Sequence, residues 1–170
     1  MKRKLLLLLL AAVLLCSGCI PTAQTEEPLP PQPVTFTKDE LSVTLTDAFT
    51  EKSYVTYTAV YDSADIALFA LKEEFRLFDS SVLSAESSPA DYAALLWKSN
   101  GFTDELPLAE GDELTWFDYS RTVNGNDYTY RVYVYRSDEA FWMVQFAAFA
   151  DQFDTLSPTI HGYAATVSFS

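Results

Sequence analysis

Reaction chemistry has little to draw on in this sequence: one histidine, two cysteines and scattered carboxylates. His161 is the single imidazole, and Ser157 precedes it by four residues, a spacing that brings two side chains together on one face of a helix. A serine nucleophile also needs a strained elbow and an oxyanion hole, and the chain has no G-x-S-x-G. Ser157-Pro158 reads instead as a helix start with Ser157 as its N-cap. His161 is therefore expected in a surface or capping role, and no catalytic residue is assigned. Glu73 and Glu74 are neighbours on an expected strand. Their carboxylates point to opposite faces and cannot act on one substrate atom. Asp104-Glu105 through Glu110-Gly111-Asp112-Glu113 supplies hard oxygen ligands of the kind calcium takes, but without the Asp/Asn ladder and terminal Glu of an EF-hand. It is read as a solvated acidic loop, and neither metal nor cofactor is expected. The five glycines form no phosphate-binding loop, which argues against nucleotides.

The aromatic strands are the most suggestive feature. Along Tyr128–Arg136, residues Thr129, Arg131, Tyr133 and Tyr135 share one face, and Tyr128, Tyr130, Val132 and Val134 share the other. One face must be core. On the remaining face, Tyr133, Tyr135, Trp116 and Tyr119 around Arg131 would form a partner-binding or sugar-stacking surface, unless helices cover both sides.

Elements must hold these side chains in place. Leu41–Thr46 alternates apolar and polar residues as a half-buried strand does, and Tyr54–Tyr61 continues with β-branched and aromatic residues. Ile66–Leu71 is apolar on both faces, which suits the interior of a sheet. Ser88-Pro89-Ala90-Asp91 combines an N-cap, a first-position proline and an early acid, and Asn100-Gly101 is a left-handed stop. The helix between them should lay Tyr92, Leu95 and Leu96 on the sheet. Strands are expected over 114–122, 128–136 and 140–148, with Asn124-Gly125 turning the first pair. A second helix runs on from Ser157-Pro158, and Thr166–Phe169 closes as a short strand. The expected fold class is α+β, an antiparallel sheet of about six strands flanked by helices in an α/β/α sandwich.

The N-terminus reads as an address. Lys2, Arg3 and Lys4 precede an apolar run from Leu5 to Leu15, eleven residues where a membrane-spanning helix needs roughly 20. Leu15-Cys16-Ser17-Gly18-Cys19-Ile20 follows and resembles the bacterial lipobox, in which small residues precede a cysteine that becomes the lipidated first residue. Cys19, preceded by Ser17 and Gly18, fits better than Cys16. The resemblance implies a signal peptide over 1–18 and a lipid anchor at Cys19. It places the chain on the outer face of the cytoplasmic membrane, facing the periplasm if the bacterium has two membranes. Cleavage there leaves no free thiol. From 19 to 33 the chain is a Pro-rich tether, and residues 34–170 form one domain. The full sequence has 170 residues, with 24 acidic against 11 basic side chains and a net charge of -13. That balance excludes nucleic acid as a partner and makes lipid, not charge, the membrane contact.

The run Ile66-Ala67-Leu68-Phe69-Ala70-Leu71-Lys72-Glu73-Glu74-Phe75, then Asp91-Tyr92-Ala93, then hairpins built on Tyr128–Arg131 and Phe141–Phe146, resembles the PsbP-like fold. PsbP, the Ran-binding Mog proteins and the lipoprotein DcrB share that fold. The order of signal, stalk and single domain is similar to small anchored lipoproteins of Gram-positive bacteria. The resemblance implies a fold and no shared active site, since its members bind different partners. The expectation is thus a non-enzymatic module that binds an envelope protein or ligand. A lipoprotein for a small solute or calcium is the second reading, and an envelope hydrolase the third.

Overall fold

The computed structural model describes residues 29–170. The expected signal peptide, the lipobox-like stretch, Cys19 and most of the expected tether lie outside the described residues. A compact unit begins at Pro31, slightly before the expected boundary. In chain order its strands are β1 (Pro33–Lys38), β2 (Leu41–Thr46), β3 (Thr50–Lys52), β4 (Ala59–Asp62) and β5 (Ala67–Glu74), which ends in a 3-10 turn at Phe75–Leu77. Helix α1 (Pro89–Ser99) precedes β6 (Ala109–Gly111), β7 (Leu114–Val123), β8 (Asn126–Arg136) and β9 (Ala140–Phe149), and α2 (Phe153–Ala164) and β10 (Ser168–Phe169) follow. The fold is α+β. It has more strands than expected, in two antiparallel sheets: three strands ordered β1-β2-β10, and seven ordered β3-β4-β5-β9-β8-β7-β6.

Local chemistry accounts for several boundaries. At the head of α1, Ser88 Oγ accepts from the Asp91 amide at 3.2 Å, and the Ser88 amide donates to Asp91 Oδ2 at 2.8 Å, a reciprocal capping box. Gly101, at φ 84°, ends that helix. Asn124 and Gly125 have φ of 52° and 83°, the paired positive values of a two-residue hairpin, and set Val123 opposite Asn126. A similar turn at Asp112 and Glu113, φ 51° and 64°, folds part of the expected acidic loop into the β6–β7 hairpin.

Three expectations are corrected. The strand β4 begins only at Ala59, so 54–58 of the run 54–61 is not strand; Tyr54–Tyr57 is a turn, closed by the Tyr57 amide on the Tyr54 carbonyl at 3.2 Å. The Leu41–Thr46 strand does not join the large sheet but pairs with β1 and β10. Ser157 is no N-cap, because α2 begins at Phe153, which is buried, and carries Pro158 inside it on an exposed position.

Ridges from both sides cover the large sheet. On one side α2 and the small sheet close over Tyr133, Trp142, Val144, Phe146, Leu68 and Tyr61. On the other, α1 sets Tyr92, Ala93, Leu96 and Trp97 against Phe117, Val132, Val134, Phe141 and Met143. Strand β9 sits between these layers and is buried from Ala140 to Ala148, as a continuous apolar run implies. β5, the other run apolar on both faces, is interior too, between β4 and β9.

Candidate functional site

The five residues expected to share an exposed aromatic face are divided between the two sides of the sheet. Alternation was read correctly along β8, but Trp116 and Tyr119, three residues apart on β7, fall on opposite faces, and the face of Tyr133 is covered, the alternative the sequence left open. Tyr133 is wholly buried beneath α2, with its hydroxyl 3.1 Å from His161 Nδ1. Burial pushes that phenol up to about 12. Tyr135 donates to the Ala164 carbonyl at 2.8 Å, and Trp116 packs edge-on to His161 at 5.3 Å between ring centroids. Arg131 grips Asp118 with two bonds, from Nε to Oδ1 at 2.8 Å and from Nη2 to Oδ2 at 2.7 Å. Its Nη1 donates to Ser157 Oγ at 2.6 Å, and its guanidinium lies over the Phe153 ring at 5.2 Å. These four residues fasten α2 to the sheet. Tyr119 alone lies on the opposite face.

His161 is half-buried in that fastening, and its Nε2 is 3.6 Å from Asp112 Oδ2. Ser157, four residues earlier, is held by Arg131 rather than by the imidazole. Glu73 and Glu74 diverge as expected: Tyr92 Oη donates to Glu73 Oε2 at 2.5 Å, while Glu74 pairs with Arg76. Among the described residues, no group of three or more His, Cys, Asp or Glu converges as metal ligands would.

The open aromatic surface is on Tyr119's side of the sheet. Strands β8 and β9, of 11 and 10 residues, run for about 35 Å at ~3.3 Å per residue, whereas the 11 residues of α1 extend about 16 Å. One helix therefore leaves part of this face bare. There the register places Tyr128 opposite Phe149, and Tyr130 opposite Ala147, which in turn faces Ala67 and then Asp62. Two alanines form a low floor between an aromatic bank and the β4–β5 turn. The resulting groove has a volume of about 320 Å³.

The aromatic bank is ordered by ring contacts. Tyr128 stacks on Phe149 at 4.9 Å and Tyr119 on Tyr130 at 4.8 Å, and Phe69 lies 5.1 Å from Tyr57. Tyr119 Oη donates to Oε1 of the buried Gln145 at 2.8 Å, and burial pushes its phenol up to about 12. The Arg121 guanidinium rests over Tyr119 and Phe102, at 5.6 and 5.9 Å. Asp62, Ser63 and Asp65 line the far bank. In the sequence, alternation placed Tyr128 and Tyr130 on one face, but Phe149 lay beyond the expected strand 140–148. The exposure of that face depends on how much of the sheet α1 covers.

A second hollow, of about 630 Å³, is bounded by Glu40, Arg136, Asp138, Glu139 and Ser170. Its charges are mixed, and Glu40 is already paired with Lys72 at 2.5 Å.

Fold and site together define an α+β domain of two antiparallel sheets with an aromatic groove on the half of one sheet face that its helix leaves open. No protein-family model matches the chain, and no curated protein matches it. Among solved structures, it is similar to a protein of Bacteroides thetaiotaomicron VPI-5482 at a TM-score of 0.51 and 10% identity, over 82% of this chain and 49% of the other. The chain thus spans about half the length of that protein, and the likeness is one of fold alone. It is also similar to cyanobacterial PsbP (CyanoP) from Synechocystis sp. PCC 6803, at a TM-score of 0.41 and 12% identity over 90% of this chain and 100% of the other. LpqN of Mycobacterium tuberculosis, described as involved in cell envelope biogenesis, has a TM-score of 0.48 and 14% identity over 83% and 91% of the two chains.

Proposed function

We propose that this chain is a lipid-anchored binding module of the bacterial cell envelope: a PsbP-like domain held on the outer face of the cytoplasmic membrane by Cys19, without catalytic activity of its own. The observation that carries the binding role is the groove beside Tyr128, Tyr130 and Phe149. Aromatic rings left partly open on a rigid sheet provide contact area at small entropic cost, which is what recognition sites use. The anchor rests on the basic, apolar and Ser17-Gly18-Cys19 order of the N-terminus. Among the described residues, no helix is long and apolar enough to cross a membrane. The side chains with chemical potential serve the fold instead: Ser157 and His161 face different partners, and Arg131 is committed to Asp118.

Two experiments test this reading. Cys19→Ala should move the protein from the membrane fraction to the soluble extracytoplasmic fraction; continued membrane association of a processed variant would refute the anchor. A photo-cross-linking residue at position 128 should capture a discrete envelope component that is not captured from position 159, an exposed site on α2. Identical capture from both positions would refute the groove as the binding surface.

A further inference from the structure

We propose that the groove receives an arginine or lysine side chain from an extended basic segment of a partner protein, an inference that rests on the groove being the module's binding surface. Its two banks carry complementary parts of a cation site. On one, the rings of Tyr128, Tyr130 and Phe149 offer electron-rich faces. On the other stand Asp62 and Asp65, whose carboxylates have no ion-pair or hydrogen-bond partner among the described residues. Three carboxylates of the domain show the kind of pairing such a cation would offer: Glu40 with Lys72, Glu51 with Lys38 and Asp118 with Arg131.

The dimensions suit a single side chain. From Tyr130 across Ala147 and Ala67 to Asp62 there are three strand spacings, about 14 Å at ~4.8 Å each, with only methyl groups on the floor between. An extended arginine can lie along such a floor with its stem on the alanines and its head between ring and carboxylate. The protein already makes this kind of contact on the same face: Arg121 lies over Tyr119, the cross-strand neighbour of Tyr130. A neutral ligand would leave Asp62 and Asp65 unmatched. The net charge of -13 also steers a basic partner toward the domain at long range.

The test titrates the full chain with the acetylated, amidated peptide Arg-Gly-Arg-Gly-Arg-Gly by calorimetry. Because any acidic protein attracts such a peptide, the decisive comparison is between two variants with the same charge change. Asp62→Asn/Asp65→Asn should weaken binding about tenfold and flatten its salt dependence. Glu105→Gln/Glu110→Gln, at exposed positions before and within β6, should change it less than about twofold. Tyr128→Leu should weaken binding about fivefold while the melting temperature reports an intact fold. Equal losses from the two acidic pairs, or no peptide binding, would overturn the proposal. Binding of a neutral N-acetylglucosamine tetramer that is lost in Tyr128→Leu and unchanged in Asp62→Asn/Asp65→Asn would overturn the cationic ligand yet keep the groove as the binding surface. Failure of both probes, together with identical cross-linking from positions 128 and 159, would remove both readings.

Discussion

Replacing Arg131 with methionine removes the fork that ties α2 to the large sheet. In the native chain its guanidinium makes two bonds to Asp118 and one to Ser157, with 14% of the side chain exposed. Breaking a fully buried ion pair from one side costs about 3–5 kcal/mol, because the abandoned charge stays desolvated. Asp118 is 37% exposed, so water can rehydrate part of it and the cost lies below that range. Ser157 loses a charge-assisted bond, while methionine preserves much of the aliphatic contact with Phe153. The expected loss is about 2–3 kcal/mol, a fall in melting temperature of about 6–10 °C for a unit of this size. Urea denaturation gives the free energy, and a cycle with Asp118→Asn gives the coupling, expected to exceed about 1 kcal/mol. Were Arg131 instead an exposed anchor for a partner, its replacement would leave stability within about 0.5 kcal/mol. A melting temperature within about 2 °C of wild type, or additive effects of the two substitutions, would refute the fastening role.

Ser88→Ala should cost about 1 kcal/mol by opening the capping box of α1, read as a lower urea midpoint with an unchanged slope. Stability should also fall in alkali. Burial raises the phenol pKa of Tyr92, Tyr119, Tyr133 and Tyr135, so the folded chain holds protons that the unfolded chain releases near pH 10. Their contribution is complete below pH ~10 and is lost as the pH climbs from there toward and beyond the folded values. Urea midpoints measured between pH 8 and 12 should be flat and then drop; phenolate absorbance from all four before any loss of structure would contradict this.

Much of the local architecture was legible because its causes lie within a few residues. Ser88, Pro89 and Asp91 start α1, Gly101 stops it, and Asn124-Gly125 turns β7 into β8. Each needs only a cap, a fixed dihedral or a positive φ, and these depend on residue type. The period-2 alternation likewise sorted Tyr128 and Tyr130 from Arg131, Tyr133 and Tyr135. At Ser157-Pro158, by contrast, a local start signal lost to burial of Phe153, which draws the helix one turn earlier and leaves Pro158 inside it on the solvent side.

By itself, then, the sequence determined the α+β class, the capped helix, the hairpins and the alternation of aromatic residues. Only the tertiary structure decided which aromatic face is open. That outcome depends on α2 landing on Tyr133 and on β2 leaving the large sheet to meet β10, contacts such as the Thr44 amide to Thr166 Oγ1 that join residues 122 positions apart. It also depends on α1 being too short to span the opposite face. Alternation assigns side chains to two sides of a strand, but water is removed from a side only by whatever elements pack there, and those are chosen by long-range burial of apolar surface.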